Sequence, residues 1–462
     1  MYLKQFVDEG LGNSSYLIGS EATGLAAVID PQRDVDRYLQ VAEGLGLRLA
    51  YALDTHLHND FISGAHELLA QRGIVVGASA EARLEFEHQP LHGGATISLG
   101  DVTIGVLATP GHTPEHISFT AMPTSQSTPT AIFTGGALIV GGAARTDLLG
   151  PDLTDHLSRQ LYHTLHEQLL RLPDEVTVYP THGAGSFCSA PVSDERTTTI
   201  GRERRWNTLL QAASEDEFIA QALANLPDYP TYFRYMRPIN QRGPRVLNSL
   251  PALPPLSPAL VQQQMAQGTA VIDTRKPREF MAGHIPASYG IPLGAPLSTW
   301  AGWVVPFGAP LILIADSPVR REEAVRQLIR IGYDDLRGYL EGGLAGWAAA
   351  GLPTQQIPIV PAEELRLQLE RGTAHVILDV RHDNEWQAGH LPHAFHLDAG
   401  RLPMSLPPAS KDEPLIVHCA HADRSTVGLS LLERHGYRRL TVLNGGFSGW
   451  QGAGYPIVRD DD

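Results

Sequence analysis

The second half of the chain is written twice. Residues 271–288 read VIDTRKPREFMAGHIPAS and residues 376–394 read VILDVRHDNEWQAGHLPHA, sharing Asp-x-Arg, then Glu, then Gly-His-hydrophobic-Pro. Each copy continues through an apolar run, a helical pattern, a Gly-Tyr pair (Gly332 and Gly436) and a closing Gly-Gly-x-x-Gly-Trp ending at Trp347 and Trp450. A repeat of about 100 residues in which short apolar runs alternate with helical patterns predicts a small doubly wound α/β domain with a largely parallel sheet. A chain of 462 residues is also longer than one core usually serves. The proline-rich segment NSLPALPPLSP reads as a linker. The expected organisation is a first block at 1–247, the linker at 248–258, one repeat at 259–356 and the other at 357–462.

The first block also mixes strands and helices. AAVID (26–30) and TIGVLAT (103–109) look like strands, and helical patterns lie near 34–44 and 154–172, so α/β layers are expected here too. Apolar residues make up 43% and charged residues 18%, with no unbroken apolar run long enough to span a bilayer, which excludes a disordered chain and a membrane-spanning helix. The net charge of −15 argues against nucleic acid as a partner. The opening MYLKQFVDEG lacks a basic region followed by an apolar one, so a cytoplasmic location is expected. Cys188 and Cys419 are too few for a disulfide scaffold.

Histidines gather where strand-like runs end. LDTHLHNDFISGAH carries His56, His58 and Asp60 at alternate positions, and alternate side chains of an extended segment share a side. TPGHTPEH adds His112 and His116, and YPTHGAG adds His182. Three such clusters predict a distributed metal site, whereas His66, His88 and His92 read as scattered. Cys188 follows His182 closely and reads either as a relay thiol or as a packed small hydrophobe.

These motifs, with TGGALIVGGAARTDL and PTHGAGSFC, resemble the metallo-β-lactamase superfamily over about 240 residues, in the branch of persulfide dioxygenases and glyoxalase II. The resemblance implies a four-layer αββα sandwich. It implies one Fe(II), or Zn, held through His58 and His112 and a carboxylate, with Arg145, His182 and Cys188 on the substrate side. Two positions depart from the family pattern. Phe61 stands where a second-metal histidine is usual, which disfavours a dinuclear zinc hydrolase, and Gly136 stands where Thr134-Gly135 should be followed by Asp. Either water or His56 completes the site, or the block is metal-free and degenerate.

The second repeat carries VHCAHADRS, which places Cys419 between a strand and a helix start. Loop amides and a helix N-terminus stabilise a thiolate in such a place and make it a nucleophile. With DVR, AGHLPHA and GGFSGW, this resembles the rhodanese family. The resemblance implies that Cys419 holds a persulfide beside Arg424 and Ser425, with His421 on the substrate side. The loop from Cys419 to Arg424 is one residue shorter than that of the phosphatase relatives, so sulfur transfer is favoured over dephosphorylation. In the first repeat Ala315 replaces the thiol while Arg320 is kept, which suggests a spacer, a docking surface or a homodimer contact.

The expected fold is therefore α/β, an N-terminal αββα sandwich followed by two small rhodanese-like domains. The expected function is sulfane-sulfur transfer through a Cys419 persulfide, with a glutathione-like thiol or persulfide and a sulfane-sulfur donor as small-molecule partners. Two other readings stand beside it: an iron-dependent persulfide dioxygenase acting on glutathione persulfide, and a non-catalytic sulfur carrier or sensor.

Overall fold

The computed structural model describes residues 1–189, 193–224, 226–294, 296–372 and 376–459. The chain divides into two compact units, Met1–Leu250 with Ile329–Gly332, and the remainder. Among the described residues no helix is long and apolar enough to cross a membrane.

The first unit is built on two six-stranded sheets. One runs in the order Tyr2–Asp8, Asn13–Gly19, Leu25–Ile29, Arg48–Leu53, Val75–Ser79, Gln89–Leu91. The other runs Thr198–Thr199, Thr177–Pro180, Ala131–Gly135, Ile117–Pro123, Val102–Ala108, Thr96–Ser98. Strand Val102–Ala108 alternates buried and half-buried residues, the period of a sheet with one face in the core. Leu25–Ile29 is apolar almost throughout because both of its faces are covered. Tyr16, Ile18, Ile29, Ile104, Phe119 and Phe133 form the inter-sheet core. The outer face of the first sheet packs on Val35, Tyr38 and Leu68 and that of the second on Leu161, Leu165 and Phe218, giving the four αββα layers. The histidine-bearing segments leave the sheets at strand ends, after Leu53, Ala108 and Pro180.

The second unit holds two five-stranded sheets whose strand pairings are all parallel among the described residues. Their orders correspond. One is Pro255–Leu256, Leu336–Leu340, Leu311–Ile314, Ala270–Asp273, Tyr289–Gly290 and the other is Ile359–Val360, Leu440–Leu443, Leu415–His418, Val376–Asp379, Ala394–His396. Within the segment read as a linker, Pro255 and Leu256 form a short edge strand, a place that tolerates the missing proline N–H. The repeated motifs make repeated bonds. Arg275 and Arg381 each clamp the aspartate two residues back and donate 2.8 Å bonds to the carbonyls of Gly283 and Gly389. Trp347 and Trp450 donate 2.8 Å bonds to the carbonyls of Pro353 and Pro456.

Candidate functional site

In the first unit the segment 54–60 is a series of bends instead of an extended strand. His56 and His58 therefore diverge, although their ring centres are only 4.2 Å apart. His58 turns to Asp30, with Nε2 at 3.2 Å from Oδ1. Burial works against its charge, but Asp30 and Asp54 hold it above the usual imidazole range. Asp30 is likewise opposed by burial but pulled down by His58 and by hydrogen bonds from Thr181 and Thr55. His58 and Asp30 thus form a buried hydrogen-bonded pair whose electrostatics favour the charged form of each.

His56 turns the other way and joins His112 and His182, with one ring nitrogen of each within 4.8 Å of the other two. All three are buried. Burial, with neighbouring histidines, holds His112 and His182 down at about 3 and His56 well below the usual range, so all three are neutral near pH 7. Neutral imidazole is the metal-binding form. The described residues also group His58, Asp60 and His182, and Asp30, Asp54 and His58, so the region is a His/Asp cluster able to hold a metal.

The sequence pattern pairs His58 with His112 and keeps His56 as a candidate. The structure brings His56 and His112 together, turns His58 to Asp30, and adds His182, which the sequence reading had placed on the substrate side. Phe61 stacks on His58 at 4.1 Å. Gly136 lies against the cluster, where a Cβ would fall 2.5 Å from His112 Cδ2. His116 fills the adjoining space: its Nε2 accepts the Gly136 N–H at 3.1 Å, and its Nδ1 donates to Thr109 Oγ1 at 2.9 Å. The Arg145 side chain is tied to Asp147 at 2.6 and 2.7 Å and lies over Tyr229, while its carbonyl accepts from His112 Nδ1 at 2.6 Å. Cys188 is fully buried, and burial with Asp60 pushes its thiol well above the ordinary range, so it is held as a packed thiol. His66 and His88 bond to the carbonyls of Pro244 and Phe86, away from the cluster.

In the second unit Cys419 follows strand Leu415–His418 and precedes helix Asp423–Arg434. It is 2% exposed. Its carbonyl accepts from Phe447 N–H at 2.7 Å, and the carbonyl of Ala420 accepts from Ser448 N–H at 3.0 Å, so the closing Gly-Gly turn braces the loop. Arg424, within the first helical turn, makes paired hydrogen bonds with Glu385, one of 2.8 Å. The Ser425 hydroxyl is buried without a hydrogen-bond partner among the described residues. His421 is exposed. A cleft of about 230 Å³ runs beside the loop, lined by His421, Ala422 and Gly445 together with Arg278 and Met281 of the first repeat.

Comparison with known proteins places this geometry. The rhodanese-like domain family matches residues 257–350 and 361–453, and the metallo-beta-lactamase superfamily matches residues 8–182. Human mitochondrial persulfide dioxygenase is 32% identical over 244 residues, which are 52% of this chain and 87% of that protein. A hydroxyacylglutathione hydrolase of Polaromonas is 31% identical over 246 residues, 47% of this chain and 88% of its own. A solved metallo-beta-lactamase from Staphylococcus aureus superposes with a TM-score of 0.67 at 30% identity, covering 73% of this chain and 98% of that one. Two facing sheets with histidines at their strand ends, followed by two parallel-sheet repeats, define a metallo-β-lactamase fold joined to tandem rhodanese-like domains. The chain belongs to the metallo-β-lactamase superfamily, among the homologues of persulfide dioxygenase and hydroxyacylglutathione hydrolase. The pairing of these domains supports an enzyme of sulfur metabolism.

Proposed function

We propose that the chain is a sulfurtransferase in which Cys419 carries sulfane sulfur as a persulfide. The observation that carries this reading is the position of Cys419, at the head of a short loop that opens directly into the 12-residue helix Asp423–Arg434, with Arg424 and the unpartnered Ser425 hydroxyl in its first turn. A helix N-terminus, loop amides and a guanidinium favour an anionic sulfur there. The Cys419 thiolate attacks the outer sulfur of a thiosulfate-like or persulfide donor. The donor S–S bond breaks, its electron pair leaves on sulfite or a thiolate, and a new S–S bond forms on Cys419. An acceptor thiolate such as glutathione then attacks that outer sulfur and releases Cys419 as thiolate, so neither step needs an outside oxidant. Steady-state transfer from thiosulfate or glutathione persulfide to a thiol tests this. Cys419→Ser is expected to abolish turnover, and a mutant working at the wild-type rate overturns the reading.

A second reading, an iron-dependent persulfide dioxygenase forming sulfite from glutathione persulfide, is supported by the similarity to the human enzyme and by the His/Asp cluster. A metal there would sit on the imidazoles of His56, His112 and His182 and would supply a Lewis-acidic open position for substrate. Gly136 leaves the cluster without the carboxylate that completes a facial triad. Oxygen uptake on glutathione persulfide by iron-loaded wild type, compared with Gly136→Asp, decides this reading. Uptake by wild type supports it, and uptake gained only in the variant means that the lost carboxylate silences the native domain.

A further inference from the structure

Three neighbouring strands of the second repeat end level with one another. Asp379 pairs with His418 on one side and with His396 on the other, and the strands run parallel. Cys419, Asp398 and His382 therefore leave the same edge of the sheet, one, two and three residues beyond that level. The carboxyl edge of a parallel sheet is where α/β folds bind their ligands. Burial opposes the charge of Arg424, but Glu385, and after it Cys419 and Asp398, hold the guanidinium above its usual range, so these groups lie within electrostatic reach of one another.

His382 Nδ1 lies 2.6 Å from Asp398 Oδ2. An ionised carboxylate only accepts, so Nδ1 carries the proton and Nε2 keeps its lone pair. Asp398 Oδ1 accepts the Gly400 N–H at 2.8 Å, which pins the carboxylate. The Asp398 side chain is 13% exposed and the imidazole 42%, so the pair has a sheltered end and an open one. Asp383 and Glu385, the other acids beside the ring, are engaged by Arg401 at 2.6 Å and Arg424 at 2.8 Å. His396 lies 3.6 Å from Asp383, and helix Leu297–Val304 presents the uncharged Trp300, parallel to the imidazole at 6.5 Å. The fold does not require this histidine side chain. Its backbone N–H donates to Glu385 at 3.2 Å, and in the first repeat the Lys276 N–H makes the same bond to Glu279 at 3.0 Å. Where the second repeat has Asp398, eight residues after the repeated Gly-His, the first has Pro292. The repeat without the thiol thus lacks both members of the pair, while it keeps the Asp–Arg clamp and the glutamate.

We propose that His382, oriented by Asp398, is the general base that takes the proton from the acceptor thiol in the step that discharges the Cys419 persulfide. This rests on the Cys419 reading and adds a catalytic residue to it. The S–H proton passes to His382 Nε2 while the acceptor sulfur attacks the outer sulfur of the persulfide. A new S–S bond forms, the bond to Cys419 Sγ breaks, and Sγ keeps the electron pair. The product leaves as an anionic persulfide and the imidazole returns its proton to water, so no oxidant or reductant enters. A thiol with the ordinary value of about 8.5 is only a few per cent thiolate at pH 7, which bounds the gain from such a base at roughly thirtyfold. The acceptor class is then a thiol that is still protonated at neutral pH.

The test isolates the second half-reaction. The full-length chain is loaded from thiosulfate, freed of excess donor, and discharged either by glutathione or by sulfite, whose dianion has no proton to lose. A wild-type chain that takes up no sulfur overturns the Cys419 reading and this one together, and the remaining outcomes bear on the base alone. In His382→Gln the ratio of the glutathione rate to the sulfite rate is expected to fall about tenfold at pH 7. The deficit should close by about pH 9.5, where the acceptor thiol ionises unaided. Asp398→Asn, which keeps the imidazole, should lower the same ratio severalfold with the same closure, and it decides the matter if circular dichroism shows His382→Gln to be unfolded. A ratio equal to that of wild type at pH 7, or a deficit that persists above the ionisation of the acceptor, overturns the proposal.

Discussion

At the scale of the residue, the departures from family pattern were legible because they are local: Phe61 and Gly136 stand inside short motifs. The partners of the histidines were not legible, since Asn13 meets His182 across 169 positions of sequence and Thr181 meets Asp30 across 151. Alternation in HLHND suggested that His56 and His58 share one side, but that inference needs extended backbone and the segment bends. In the rhodanese-like repeat the decisive pair is Arg424 with Glu385. Burial alone would raise Glu385, but the hydrogen bonds and charge of Arg424 hold it below the usual carboxylate range. Its folded value is therefore below its unfolded value of about 4.3. The contribution of the pair is complete above that pH and is lost as pH falls through the lower folded value. Glu385→Gln should lower kcat/KM for sulfur transfer by roughly tenfold at pH 7 through misplacement of Arg424, and pH–rate profiles of the two proteins should lose their difference only in strong acid.

At the scale of the element, the repeats show what a fold preserves where the loop cysteine is replaced. Both keep the Asp–Arg clamp and the Trp-to-carbonyl bond, and this was readable because the two copies align within one chain. The loops differ. Where the second repeat has Cys419, Ala420 and Ala422, the first has Ala315, Asp316 and Pro318. Pro318 has no amide proton to offer an anion, and Asp316 repels one. Arg320 donates to the Thr274 carbonyl at 2.8 Å. Ala315→Cys should therefore acquire no sulfur and rescue no activity in a Cys419→Ser background, as read by mass spectrometry and turnover. The closing turn is equally specific. Gly446 has φ +56, and a Cβ there would fall 2.4 Å from the Cys419 carbonyl oxygen. Gly446→Ala should destabilise the protein by about 1–3 kcal/mol and slow transfer, as measured by thermal unfolding and kinetics.

At the scale of the whole molecule, the two proposed chemistries rest on separate cores, one between the facing sheets of the first unit and one around Ile377, Ile416 and Trp450 in the second repeat. The succession of a metallo-β-lactamase-like domain and two rhodanese-like domains was legible from the motifs and the repeat, whereas the arrangement of the candidate site was not, because it depends on side chains brought together by folding. His112→Ala should abolish metal binding and leave sulfur transfer within about twofold of wild type, since sites that share no residues or partners act additively. The most direct test of the account is the mass of the full-length chain after donor treatment and removal of excess reagent. One added sulfur, about 32 Da, located on Cys419 and discharged by a thiol acceptor, is the predicted covalent intermediate. A chain that turns over while Cys419 stays unmodified, or that carries the sulfur on Cys188 instead, contradicts it.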